Sequence, residues 1–344
     1  MNRPFPKLFI GLASAMLLGI AGGQTPTPSS TPVIGFYKFD APAGKSLWSC
    51  AFVTKTQFQG LATSVAGSGG STLLTQTGAS WSVNQFQTSA SPSTQSSHYA
   101  EILSGPNAGT VADITENSAN TLTLQGNFGI TPFTYSVHEH ATLGSIFLTA
   151  GLSEFEDEII LYDDQGVSSS YQYDGTLGAE HMVDTGTGSI VFDDVPVYPS
   201  QGFILNVLIP KVITFGGGKV SYVKATPTKI GLKAGAVNLV GMMNPIVAAS
   251  PLVGSLATNE RLEIGSLGLT TSGLSEYEDE ILVFGLVNGS LRNTGIYYTD
   301  NGTGDIVLGD GTPVSTSVLI PNGSAILVKP AISNRVFTQP ITHP

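Results

Sequence analysis

The stretch "GLSEFEDEIIL", Gly151 to Leu161, is written a second time as "GLSEYEDEILV", Gly273 to Val283. Eight of the first nine residues are identical, and the ninth exchanges Phe155 for Tyr277. Each copy runs from a small-residue start through an acidic phrase into β-branched and aliphatic residues, the composition of a buried strand. Ser153 and Glu156, like Ser275 and Glu278, have the spacing of a capping box. In that reading the serine caps one helical turn, the glutamate reaches back to it, and "IIL" or "ILV" follows as a strand. The phrase is then duplicated scaffold, and Asp157, Glu158, Asp279 and Glu280 need only solvent.

A second reading makes each phrase a cation site. Glu154, Glu156, Asp157 and Glu158 would surround one Ca²⁺, and Glu276, Glu278, Asp279 and Glu280 another, because this hard cation takes six to eight oxygens. The ligand order matches no EF-hand loop. The expectation is therefore no cofactor, with Ca²⁺ as the alternative.

The repeat extends beyond the acidic core. "LGSIFLTAGLSEFEDEI" from Leu143 parallels "IGSLGLTTSGLSEYEDEI" from Ile264, "DTGTGSIV" at Asp184 parallels "DNGTGDIV" at Asp300, and "PSQGFILNV" from Pro199 parallels "PNGSAILV" from Pro321. Retained order over such a length points to two copies of one module. Short β-branched runs alternate with turn signals throughout. Asp174-Gly175, Asn288-Gly289, Asn301-Gly302, Asp310-Gly311 and Asn322-Gly323 suit hairpin turns, and no sustained 3.6-residue apolar period follows the amino terminus. The expected fold is all-β: two related β-sandwich-like modules with a small β-domain inserted in the first. Module 1 is expected over 34–225 with the insertion at about 56–136. Module 2 is expected over 226–344, as a repeat of about 143–207.

The amino terminus, "MNRPFPKLFIGLASAMLLGIAGG", reads as a signal peptide over 1–23, with Arg3 and Lys7 before an apolar run and small residues at its end. A Pro/Ser/Thr tether over 24–33 follows. Export is expected, to the periplasm, the cell surface or the exterior, with no membrane span after cleavage. The formal charge is −11, from 25 acidic and 14 basic residues, and the basic residues are scattered. Phosphate backbones demand clustered positive charge, so nucleic acid is not an expected partner. Cys50 is the single cysteine, so an exported chain must hold together through its core rather than an internal disulfide.

Several motifs resemble a family of secreted β-rich proteins without an assigned activity, found as multiple paralogues in Verrucomicrobia-like bacteria. They are "LWSCAFVTKTQFQG", "HYAEILSGPNAGTVADITENSANTLTL", "TLGSIF", "EDEIILYD" and "NLVGMMNP", in this order. The resemblance implies an export signal and an all-β build. It carries no catalytic residues over. In this chain Asn244-Pro245 is followed by Ile246-Val247, where such openings often read Asn-Pro-Tyr-Pro.

Catalytic signatures are missing from the sequence: there is no G-x-S-x-G, no H-E-x-x-H and no nucleotide fingerprint. His138 and His140 alternate, which puts both on one face of a strand. With His98 or His181 they would complete a zinc site, and the plainer expectation is a solvent-facing strand. Cys50 reads as a small buried hydrophobe in "LWSCAFV". Tyr171, Tyr173, Tyr297 and Tyr298 are candidate stacking platforms for sugar rings. The expectation is a non-catalytic exported protein for cell-surface or extracellular-matrix interaction, whose partners are an extracellular polysaccharide or other surface proteins. The alternatives are an extracellular glycan-binding module and a carbohydrate-active enzyme.

Overall fold

A computed structural model describes residues 35–50, 52–87, 96–147, 150–163, 166–174, 181–188, 190–191, 195–216, 220–223, 227–241, 262–263, 277–287, 290–300, 306–313, 319–320, 325–330 and 335–339. The segments expected to be a signal peptide and a tether, and four of the five hairpin signals, lie wholly or partly outside these residues. Among the described residues no helix is long and apolar enough to cross a membrane.

The fold is all-β. A six-stranded antiparallel sheet has the order Ile190–Val191, His181–Asp184, Ser168–Asp174, Glu158–Tyr162, Gly202–Val207, Gly44–Ser49. A five-stranded sheet has the order Ile306–Leu308, Ser290–Asp300, Tyr277–Val287, Ala325–Lys329, Asn238–Gly241. In each sheet the strand carrying the end of the acidic phrase lies between its hairpin partner and a later strand, and that later strand pairs with the earliest one. The registers agree as well. Glu158 faces Gln172 on one side and Asn206 on the other, and Glu280 faces Tyr298 and Lys329.

The six-stranded sheet is covered on both faces, which is why "EIILY" and "FILNV" are nearly continuous apolar runs. On one face Ile159, Leu161, Tyr171, Met182, Phe203, Leu205 and Val207 pack with Ile213 and Phe215 and with the helix Leu143–Phe147. On the other, Leu47 and Ile204 meet Leu239, Ala325 and Leu327 of the five-stranded sheet. Two glycines permit this approach. A Cβ at Gly202 would stand 2.8 Å from the Ala325 Cβ, and one at Gly241 would stand 2.4 Å from the Ser49 Cβ.

Residues 56–139 form a seven-stranded antiparallel sheet in the order Thr56–Leu61, Thr134–Glu139, His98–Ile102, Val111–Asn117, Thr121–Gln125, Ser71–Thr75, Ser64–Ser68. Its strands alternate, as in "TLTLQ", where Leu122 and Leu124 are buried and the threonines are not. Its core is its own, built on Leu74, Ile102, Ile114, Tyr135 and Val137, with Trp81 edge-on to Phe58 and Phe86. The sheet is entered and left at neighbouring points, because the Thr54 hydroxyl donates to the Glu139 carbonyl at 2.5 Å. Its far loop is fastened where Lys229 N–H donates to the Gly109 carbonyl at 2.7 Å.

Candidate functional site

The acidic phrase folds as a tight turn whose centre is Asp157. Its carboxylate is fully buried and accepts from Ser153 N–H at 2.7 Å through Oδ2 and from Leu208 N–H at 3.0 Å through Oδ1. The Lys211 ammonium donates to Asp157 Oδ2 and also to Ser153 Oγ at 2.5 Å. A buried carboxylate is tolerable when its oxygens meet donors and an opposite charge, and all three donors here come from the chain itself.

The capping-box expectation is corrected here. Asp157, not Glu156, reaches back to the Ser153 N–H, and Glu156 is exposed. No helical turn forms, because Phe155 has a φ of 56°. That left-handed conformation costs a bulky residue about 1–2 kcal/mol. It is held by Phe155 N–H donating to the Tyr173 carbonyl at 3.0 Å. Asp157 and Glu158 are also not left to solvent. Glu158 accepts from Asn206 Nδ2 at 3.1 Å and from the Ser170 hydroxyl.

The turn presents its remaining side chains outward. Glu154 and Glu156 are exposed, and Phe155 between them is 50% exposed. Next to them, fastened by the same Asp157, Leu208 and Ile209 are 62% and 57% exposed, and Val212 is 54% exposed. Lys211, Leu208 and Ile209 are the residues that inspection of the phrase alone overlooks. The signal available was "VLIPKV", a solid apolar run broken by Pro210 in a place where a turn must fall.

In the second phrase, Glu276 and the side chains of Glu278 and Asp279 lie outside the described residues. Glu280 is described, and its carboxylate is 3.9 Å from the Lys329 ammonium. Among the described residues no group of three or more His, Cys, Asp or Glu side chains is gathered to hold a metal. A cation at Asp157 would have to displace Lys211.

The tyrosines divide. Tyr171 is buried in the core and Tyr173 packs against the same core from the edge. Burial pushes the Tyr171 phenol up from its ordinary value. Tyr297 and Tyr298 are half-buried on one strand, and Tyr298 lies opposite Glu280. Burial, then the Glu280 charge, raises the Tyr298 phenol.

The histidine expectation of a solvent-facing strand is also corrected: His138 and His140 are both buried. His138 stacks on Tyr99 at 5.2 Å, and its Nδ1 lies 3.1 Å from the Thr54 carbonyl. His140 Nε2 is 3.0 Å from Asp113 Oδ1, and the Tyr198 hydroxyl donates to Asp113 Oδ2 at 2.8 Å. His98 stands in the same cluster, its Nδ1 2.7 Å from the Ser97 hydroxyl. Burial lowers the His98 imidazole, Glu139 opposes that shift, and His140 adds to it. The side chain of His181 lies outside the described residues.

Cys50 and Tyr99 line a small recess beside this cluster, together with Thr54, Val197 and Tyr198. Burial pushes the Cys50 thiol up to about 12, with a smaller opposing effect from the Phe52 backbone. A thiol so held is a packing group, because the thiolate is the nucleophile. Compared with known proteins, the chain matches no family model, no curated protein and no solved structure.

Proposed function

We propose that this chain is an exported, non-catalytic binding protein that acts at the cell surface or in the extracellular matrix. The observation that carries the reading is the division of labour among its side chains. Buried and half-buried polar groups fasten strands: Asp157 to Lys211, Glu158 to Asn206, Asp113 to His140 and Tyr198, and His138 to Thr54. Large apolar side chains, by contrast, stand in water around Phe155. Catalysis favours a titratable group left poised in a cleft, whereas recognition favours an exposed apolar centre with a polar rim. The basic, apolar amino terminus and the Pro/Ser/Thr segment after it supply the export signal and a tether in this reading. The parallel strand orders of the two sheets support a duplicated module.

A second reading, an extracellular glycan-binding module, is favoured by Tyr298, which lies opposite Glu280 on the neighbouring strand and so offers a ring beside a carboxylate. One experiment separates the two. Labelled protein 24–344 is incubated with intact cells of the producing organism and, separately, with immobilised polysaccharides. The surface reading expects retention on cells that is lost on combining Phe155→Ser with Leu208→Ser and Ile209→Ser. Retention on a polysaccharide that survives those changes but disappears with Tyr297→Ala and Tyr298→Ala would establish the glycan reading instead. Release of reducing ends from any polysaccharide would overturn the non-catalytic assignment.

A further inference from the structure

The surface around Phe155 has a composition that specifies its partner. Phe155, Leu208, Ile209 and Val212 are each half or more exposed, while their chain neighbours Val207 and Ile213 are at 1% or less. Single exposed apolar residues are ordinary on a soluble surface. These four belong to two chain segments that one buried carboxylate ties together, through Leu208 N–H, Ser153 N–H and Lys211. Asp157 thus holds the two segments side by side, and exposed apolar side chains gathered beside a polar edge mark a contact surface.

The edge is negative. Glu154 and Glu156 flank Phe155 and are exposed, and the one lysine of the two segments, Lys211, has its ammonium on Asp157. We infer that this tip receives a cationic amphipathic segment of another protein, whose apolar side chains cover Phe155, Leu208 and Ile209 and whose Lys or Arg side chains meet Glu154 and Glu156. The inference rests on the binding-protein reading given above and names the partner chemistry of its exposed tip.

Charge decides among the occupants an apolar patch can have. Anionic lipid headgroups would be repelled by the glutamates. A second copy of this chain would bring the same acidic rim and a formal charge of −11. A cationic amphipathic segment satisfies both the apolar centre and the rim. The turn also starts close to its bound shape, because Asp157 and the Phe155 N–H bond to Tyr173 fix its backbone. Such preorganisation lowers the ordering cost of association.

The test uses the whole protein 24–344 and a short labelled peptide of alternating Leu and Lys, read by fluorescence anisotropy. Binding is expected and should weaken with rising salt, because a rim contact is screened within about 8 Å at physiological ionic strength. The paired change Leu208→Ser and Ile209→Ser is expected to weaken it tenfold or more. Glu156→Gln is expected to weaken it roughly two- to fivefold, in line with exposed ion pairs. Glu116→Gln, the same loss of charge at an exposed site on the seven-stranded sheet, is expected to leave it unchanged.

Failure of the unaltered protein to bind the peptide would overturn the proposal. So would equal effects of Glu116→Gln and Glu156→Gln, which would mean that only overall acidity matters. Tighter binding to vesicles of phosphatidylcholine and phosphatidylglycerol than to the peptide would place a membrane on the tip instead. Circular dichroism of each variant guards against misfolding, and a peptide of alternating Leu and Glu should not bind. Cell retention that persists while the peptide fails removes the cationic partner but leaves the surface-binding reading standing.

Discussion

Replacing Asp157 by alanine tests whether the acidic phrase is a strut. The change removes the acceptor from two backbone donors, Ser153 N–H and Leu208 N–H, and the counter-charge from Lys211. A buried donor left without a partner costs about 1–3 kcal/mol. The Lys211 side chain keeps 12% of its exposure and can turn towards water, so its own loss is the smaller part. The sum lies at about 3–5 kcal/mol, the range found when one member of a buried pair is removed. The compact unit Val33–Pro344 holds about 310 residues, for which an unfolding entropy of about 2.1 cal/mol/K per residue turns that loss into a fall in Tm of about 5–8 °C.

Differential scanning calorimetry on residues 24–344 is the assay, with Glu154→Ala and Glu156→Ala as exposed controls. Each control should stay within about 0.5 kcal/mol of the unaltered protein, which is under 1 °C. An Asp157→Ala protein melting within 1 °C of the parent would refute the reasoning, because the carboxylate would then not be holding the turn. The same scans in EDTA and in millimolar Ca²⁺ address the competing role. A calcium-dependent rise, worth about 2.7 kcal/mol at a hundredfold excess over Kd, that vanishes with Asp157→Ala would make this carboxylate a ligand.

Three further outcomes are expected. His98 is held neutral by burial, so its folded pKa lies below the unfolded value near 6.5. Its contribution to stability is therefore complete above about pH 6.5 and is lost as pH falls towards the folded pKa, because the unfolded chain takes up the proton first. Urea titrations between pH 7 and pH 5 should show a shallower loss for His98→Gln, and an unchanged slope would contradict this. Cys50, with its thiol near 12, should be thiolate in only about one molecule in ten thousand at pH 8, so iodoacetamide should label it after unfolding and not before. Gly241→Ala sets a Cβ against Ser49 and should cost about 1–3 kcal/mol by denaturant midpoint, and an unaltered midpoint would mean the sheets are not that close.

The fold class was legible because local signals agreed with it. "TLTLQ" and "STLLT" alternate with the period of a strand, and Asp310-Gly311 falls in a turn where Gly311 has a φ of 80°. The helix Leu143–Phe147 was not legible, since five residues are too few to show a helical period. Its start is marked instead by Thr142, whose hydroxyl accepts the Ser145 N–H at 3.2 Å. At the candidate site the limit was distance along the chain. Whether an aspartate is buried depends on what reaches it, and Lys211 comes from 54 residues away. The alternation of His138 and His140 places them on one face, but the ring of Tyr99, from the neighbouring strand, helps make that face an interior one.

The neck of the seven-stranded sheet has a mechanical consequence. The chain enters through Phe52–Thr54, paired with Val220–Val223, and leaves through Ala141–Thr142, paired with Pro196–Val197. Between these anchors, Thr56–Leu61 forms the sheet's edge beside Thr134–Glu139. A load that parts the anchors would open that edge like a zipper, one residue pair at a time, rather than shear many bonds at once. The chain stored behind the neck, about 80 residues, would then pay out roughly 280 Å of slack at about 3.5 Å per residue. Such a sheet would act as a spring coupled in series with the rest of the protein, lengthening by unzipping at its edge.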